Sequence, residues 1–208
     1  GSATDGAFHV AITPGATTPV PRWEHTRLRV AHLDLGRAVQ LESGEEETLV
    51  VPLRGSFRVE VTEADGRLHD VVLTGRASPF DGPTDVAYAG RGSHLRVTLH
   101  GPDAGRVALC GALTSGDAST SGDASTSDGE PDTAGGGPKP FRHVTASEVV
   151  VELRGTGRAS REVRNLGLPD VLDAERLLVC EVLTPAGHWS PWPPHKHDEE
   201  RPGPESAL

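Results

Sequence analysis

Apolar residues recur along this chain with a period of two. Phe57, Val59 and Val61 share one side of an extended segment while Arg58 and Glu60 take the other, and Leu95, Val97 and Leu99 alternate in the same way with Arg96 and Thr98. Successive side chains of a strand point to opposite faces, so this spacing predicts half-buried β-strands. Leu28 and Val30 alternate as well, but Leu33 and Leu35 resume out of phase, which predicts a bulge or a change of strand near His32. Short apolar runs at Leu49–Leu53, Val71–Leu73 and Val107–Leu109 are separated by Gly55, Asp65-Gly66, Gly75, Asp81-Gly82-Pro83, Gly90 and Gly101-Pro102. Strands punctuated this often predict a sandwich or a barrel. With 25 Gly, 17 Pro, no Met and only 4% aromatic residues, a helical bundle is excluded and an all-β fold is expected.

One stretch has nothing apolar to bury. Ser115–Thr120 reads SGDAST, Ser121–Thr126 repeats it, and DGEPDTAGGGPKP follows to Pro140. Five acids and no Lys or Arg lie between Thr114 and Pro138, so half of the net charge of −10 is concentrated there. Such a composition predicts a solvated linker over residues 114–140, dividing a first unit, residues 1–113, from a second, residues 141–208. The second unit opens with Val149, Val151 and Leu153 alternating, and ends its apolar part in Leu177–Leu183, a run expected to be buried. It is too short to close a barrel like the first, and an incomplete barrel leaves open sheet edges that predict self-association.

Charge and cysteine usage narrow the partners. A chain with 30 acids against 20 Lys and Arg lacks the basic face a nucleic-acid binder needs. No opening leader pattern and no 18-residue apolar run are present, so a soluble, cytoplasmic protein without a membrane partner is expected. Cys110 and Cys180 lie far apart, form no C-x-x-C, and each ends an apolar run; both are expected as buried reduced thiols. Glu45, Glu46 and Glu47 read as a solvated turn. Arg154-Gly155-Thr156-Gly157 has the look of a phosphate loop, but Ser160 stands where a third glycine belongs and no helix pattern follows, which argues against nucleotide binding.

The densest chemistry lies near the end, in His188-Trp189-Ser190-Pro191-Trp192-Pro193-Pro194-His195-Lys196-His197-Asp198-Glu199-Glu200. Residues i and i+2 of an extended chain project to the same face, and the two prolines hold the approach extended, so His195 and His197 can converge on one ion while Lys196 points away. Imidazole suits zinc, iron, nickel or manganese, and a stable site needs further ligands. The competing reading is a solvated pair beside acids. His188, Trp189 and Trp192 stand close enough to line a pocket mouth, with plain aromatic packing as the alternative.

The run ELRGTGRASREVRNLGLPD followed by ERLLVCEVLTPAGHWSPWPPHKHDEE resembles the 5-deoxy-glucuronate isomerase family, the bicupin ketol-isomerases of myo-inositol catabolism. More distantly it is similar to the 4-deoxy-L-threo-5-hexosulose-uronate ketol-isomerases. The resemblance is specific over Val149–Leu208 and looser across the first unit, where DGPTDVAYAGRGS carries it. It implies two tandem cupin barrels (jelly rolls), the first without a metal site and the second, here incomplete, holding a divalent ion on His195 and His197. The family's remaining ligands, a Glu soon after the box and a later His, have no counterpart before Leu208, and no general base can be named.

The activity so implied interconverts 5-deoxy-D-glucuronate and 2-deoxy-5-keto-D-gluconate through an enediol. A carboxylated sugar calls for a bidentate cation, and Arg161 and Arg164, with Asn165 as a neutral donor beside them, are the candidates. Surface or interdomain ion pairing is the alternative for both arginines. A non-catalytic cupin without a complete ion site competes with the enzyme, and a metal-dependent oxygenase of the same barrel type is a third possibility.

Overall fold

The computed structural model describes residues 8–12, 25–114 and 137–190. Twelve strands lie within them: β1 (Val10–Ile12), β2 (Thr26–Leu33), β3 (Ala38–Glu42), β4 (Glu46–Thr62), β5 (Leu68–Arg76), β6 (Val86–Ala89), β7 (His94–Leu99), β8 (Gly105–Leu113), β9 (Arg142–Val144), β10 (Val150–Arg154), β11 (Arg161–Gly167) and β12 (Val179–Leu183). The all-β expectation holds: among the described residues the only helical pieces are two three-residue 3-10 turns, Pro79–Asp81 and Gly157–Ala159. None could cross a membrane as a helix.

Strand β4, 17 residues long, belongs to two sheets at once. Its first part pairs with β8 and β6 in a layer ordered β1-β2-β8-β4-β6-β9, and its second part pairs with β5 and β7, with β3 beyond β7. The change of sheet falls where the register shifts, between Pro52 and Arg54 and between Gly55 and Phe57. Gly55 makes the corner possible by adopting φ +90°, and Gly75 of β5 lies so near that a Cβ on it would sit 1.9 Å from the Gly55 carbonyl oxygen. Strands that switch layers through such corners are how two sheets are held face to face. Among the described residues the sheets do not close into a barrel: the result is an open two-layer sandwich, within the all-β, jelly-roll expectation.

Two cores explain the apolar pattern. Phe57, Val59, Val61, Leu73, Leu95, Val97 and Leu99 pack inward against Ala31, Leu33, Val50, Ala87, Val107 and Leu109 of the larger layer. That layer is covered on its other face too, where Val30, Leu49, Val51, Tyr88 and Ala108 meet Val144, Val149, Leu166, Leu172 and Leu177. Strands with one wet face alternate, whereas strands covered on both faces read as continuous apolar runs. The phase slip at His32 has the same origin. β2 pairs with β8 from Thr26 to Leu33 without a register shift, so no bulge is present; Leu28 and Val30 serve the outer core, Ala31 and Leu33 the inner.

After residue 136 the chain returns to the first layer. β9 pairs with β6, and Glu63 holds the approach by accepting from the Phe141 N–H at 2.6 Å and bonding His69 Nε2 at 2.8 Å, with the His69 ring stacked on Phe141. Burial works against the Glu63 carboxylate, but His69, the Phe141 amide and Arg67 together hold it below its ordinary range.

β10, β11 and β12 form a separate antiparallel sheet. Only its middle strand is well buried. Leu153 is 86% exposed, Val150, Val151 and Val182 are exposed, and the run Leu177–Leu183 is buried only at its start, so the expectation of buried runs here fails because nothing among the described residues covers those positions. Cys180 is exposed for the same reason, against expectation, whereas burial pushes the Cys110 thiol up to about 11; both are free. A thiol reagent at neutral pH is therefore expected to label one cysteine per native chain rapidly and both after denaturation, and equal rates in the native protein would contradict this burial.

Candidate functional site

β11 carries all three residues expected to bind substrate, and alternation separates them. Arg161, Val163 and Asn165 lie on one face, opposite Arg154, Glu152 and Val150 of β10 and Val182 and Cys180 of β12; Glu162, Arg164 and Leu166 lie on the other. Arg161 and Asn165 are thus brought to a common surface, and Arg164 is not.

Arg164 faces the first unit and is buried. Its Nε donates to Glu162 at 2.6 Å, and Nη1 donates to the carbonyl oxygens of Pro79 and Gly82 and to Glu181 Oε2 at 2.9 Å. Arg76, at the end of β5, grips the same Glu181 with both terminal nitrogens and also donates to the Gly82 carbonyl. Two guanidiniums from different sheets share one carboxylate, and with it they lock the second sheet onto the first unit.

The opposite face is exposed toward its β10 and β12 sides and at Arg161, and enclosed at Val163 and Asn165. Arg161 is half-buried and its recorded partner is the Ala159 carbonyl at 3.2 Å; no carboxylate among the described residues pairs with it. Asn165 is buried, its Nδ2 donates to Glu152 Oε1 at 2.7 Å, and its Oδ1 has no partner among the described residues. Hydrogen bonds from Arg154 and Asn165 hold Glu152 below the ordinary carboxylate range. It stays ionised at neutral pH and is a weak proton acceptor.

Sequence reasoning missed the roles of Glu46 and Glu47, which are buried and not a solvated turn. Glu46 is paired with Arg29 through two bonds of 2.7 and 3.2 Å and with Arg27 at 3.2 Å, and it lies across Gly111, where a Cβ would collide with it. Glu47 accepts from the backbone N–H groups of Glu175, Arg176 and Leu177 and from the Tyr88 hydroxyl. Burial and this carboxylate drive the Tyr88 phenol well above its usual range. Both acids sit on a strand whose outer face is covered by residues far along the chain, and nothing local to Glu45-Glu46-Glu47 announces that cover.

His195 and His197 lie outside the described residues. Among the described residues no three His, Cys, Asp or Glu side chains converge as a metal site, so the sandwich and the three-stranded sheet do not by themselves fit a metal ion. His188, expected near a pocket mouth, bonds through Nδ1 to the Ser160 carbonyl at 3.0 Å.

Comparison with known proteins extends over both units. Residues 2–138 and 131–208 match the KduI/IolB family. A protein of Geobacillus kaustophilus named 5-deoxy-glucuronate isomerase is 50% identical over 74 residues, which is 36% of this chain and 26% of that protein. One of the same name from Shouchella clausii is 34% identical over 167 residues, 79% of this chain and 51% of that protein. The crystal structure of an IolB-like protein from Salmonella typhimurium superimposes with a TM-score of 0.71 at 31% identity, covering 95% of this chain and 63% of that one. The chain thus spans about half the length of such relatives. An open two-layer β-sandwich bearing a second, three-stranded sheet locked on by buried ion pairs is the class of protein the structure defines. This chain belongs to the KduI/IolB family.

Proposed function

We propose that this chain carries part of the apparatus of a ketol-isomerase that interconverts 5-deoxy-D-glucuronate and 2-deoxy-5-keto-D-gluconate. The reading is carried by the 34% identity that runs over 167 residues, through both units, to a protein named 5-deoxy-glucuronate isomerase. Moving a carbonyl between neighbouring carbons requires a base to take the proton between them and an acid to return it, with an enediol between the two steps. The substrate's carboxylate needs a cation outside this proton transfer. Arg161 fits that need, because it is half-exposed at the start of β11 and has no carboxylate partner among the described residues. Asn165, whose Oδ1 is enclosed, serves by holding Glu152 beside it. Arg164 serves by fixing β11, and through it the placement of both.

His195 and His197 are the ligands we assign to a divalent ion, which when bound stabilises negative charge on the carbonyl oxygen. Changing both to alanine is expected to lower divalent metal from about one ion per chain to background, measured by elemental analysis after dialysis. Unchanged metal content would remove them as ligands. The activity itself is tested by supplying 5-deoxy-D-glucuronate to the metal-loaded chain and following the ketone by NMR. Failure to form it favours the non-catalytic cupin reading.

A further inference from the structure

The β10–β11 turn forms a depression that the assignments above leave unused. Gly155 (φ +77°) and Gly157 (φ +53°) bend the chain into the 3-10 turn Gly157–Ala159. The segment after β12 is fastened over it: the Trp189 N–H donates to the Arg158 carbonyl at 2.7 Å, and His188 Nδ1 meets the Ser160 carbonyl. Between them lies a hollow of about 300 Å³ lined by Thr156, Arg158, Ala159 and Trp189. Arg161 reaches its edge, since Nη1 donates to the Ala159 carbonyl and lies beside Gly155.

The lining has a definite chemistry. Arg158 and Arg161 form no ion pair among the described residues, whereas Arg154, opposite Arg161 in the sheet, is occupied by Glu152 at 2.7 Å. Two guanidiniums without a carboxylate suit an anion, and their planar forks match a carboxylate. Trp189 is 54% exposed and its backbone is tied to Arg158, so its indole offers an apolar surface at the hollow. The Thr156 hydroxyl makes no capping bond to the turn it opens and remains available to a hydroxyl group. An anion alone has no use for the indole, and a neutral polyol has no use for the arginines.

We propose that this hollow binds an open-chain sugar acid, with Arg158 and Arg161 on its carboxylate, Trp189 against the C–H face of its carbon chain and Thr156 on a hydroxyl. The proposal rests on the isomerase reading for the identity of that acid as substrate, and it adds Thr156, Arg158 and Trp189 to the residues that hold it.

The full chain should be titrated by calorimetry with D-gluconate, and with D-glucitol, acetate and sulfate as controls that lack the charge, the polyol or both the carboxylate and the polyol. Gluconate is expected to bind at least tenfold more tightly than any control. Arg158→Ala and Trp189→Ala, both at exposed positions, should each weaken it about tenfold, and Trp189→Phe should restore most of the loss; Arg161→Ala should weaken it more than Arg161→Lys. Equal affinity for acetate or sulfate would reduce the hollow to a general anion site and overturn the proposal, as would unchanged binding in the arginine variants or no binding at all. Gluconate binding that follows this pattern in a chain that forms no ketone would sink the isomerase reading alone. Ketone formation with gluconate indifferent to Arg158 and Trp189 would sink the hollow alone.

Discussion

Glu47→Ala is expected to destabilise the protein by about 4 kcal/mol, lowering the melting temperature by roughly 8 to 16 °C. The carboxylate is fully buried and satisfies four donors at 2.5 to 2.9 Å, three of them successive backbone N–H groups of residues 175–177 and the fourth the Tyr88 hydroxyl. Truncation leaves all four enclosed without an acceptor, and each buried unsatisfied group costs on the order of 1–3 kcal/mol before relaxation. Glu47→Gln keeps one oxygen but turns an amide N–H₂ toward backbone donors, so it should fall in between. Glu45, two residues away and exposed, is the control: Glu45→Ala should change stability by less than about 0.5 kcal/mol. Thermal melts of the three variants decide the matter, and similar midpoints for Glu45→Ala and Glu47→Ala would contradict the burial described here.

Glu181→Ala should cost about 3–5 kcal/mol, because removing one partner of a buried ion pair strands the others. Here two guanidiniums are stranded: Arg76 and Arg164 both reach Glu181 Oε2, at 2.7 and 2.9 Å, and both are buried. Arg164 keeps Glu162 and two carbonyl oxygens, and Arg76 keeps only the Gly82 carbonyl. The double variant Arg76→Met with Glu181→Met should therefore recover much of the loss, since apolar replacements of a buried pair are often near neutral. Amide hydrogen exchange localises the effect. In Glu181→Ala, β11 and β12 should exchange faster while β4 and β8 keep their protection. Uniform acceleration across all four strands would show that this carboxylate does not act as a local lock.

The strands of the first unit were legible because their hydrophobic period is direct physics: Phe57, Val59 and Val61 alternate since water covers one face of their sheet. The continuous runs were legible as strands, but their doubly covered setting was not, because the cover for Leu49 and Val51 comes from residues such as Leu172 and Leu177 more than a hundred positions later. The same distance hid Glu46 and Glu47. An acidic triplet after a Ser-Gly turn reads as solvated until Arg29 and the 175–177 backbone are brought to it by tertiary structure. Conversely, Val151 and Leu153 alternate as a buried strand would, and the described sheet leaves them exposed; periodicity reports which face is apolar and says nothing about what lies against it.

For the site, the three β11 residues were singled out by the chemistry of a sugar acid, and their separation onto two faces follows from counting: Arg161 and Asn165 share parity, Arg164 does not. That much could have been read from spacing once the segment was taken as a strand. The engagement of Arg164 by Glu181 and Arg76 could not, since it joins three strands from two sheets. The hollow beneath Trp189 was foreshadowed by the indole's closeness to the histidine box, yet its arginine wall depends on a turn whose shape Gly155 and Gly157 permit.

Strand β4 threads both layers of the sandwich as one unbroken backbone. A tug on either layer is therefore passed through a covalent chain and not merely across a packed boundary. The two layers are thereby coupled through one strand, whereas the small sheet is joined to them by side chains, through the apolar contacts of Leu166 and the carboxylate of Glu181.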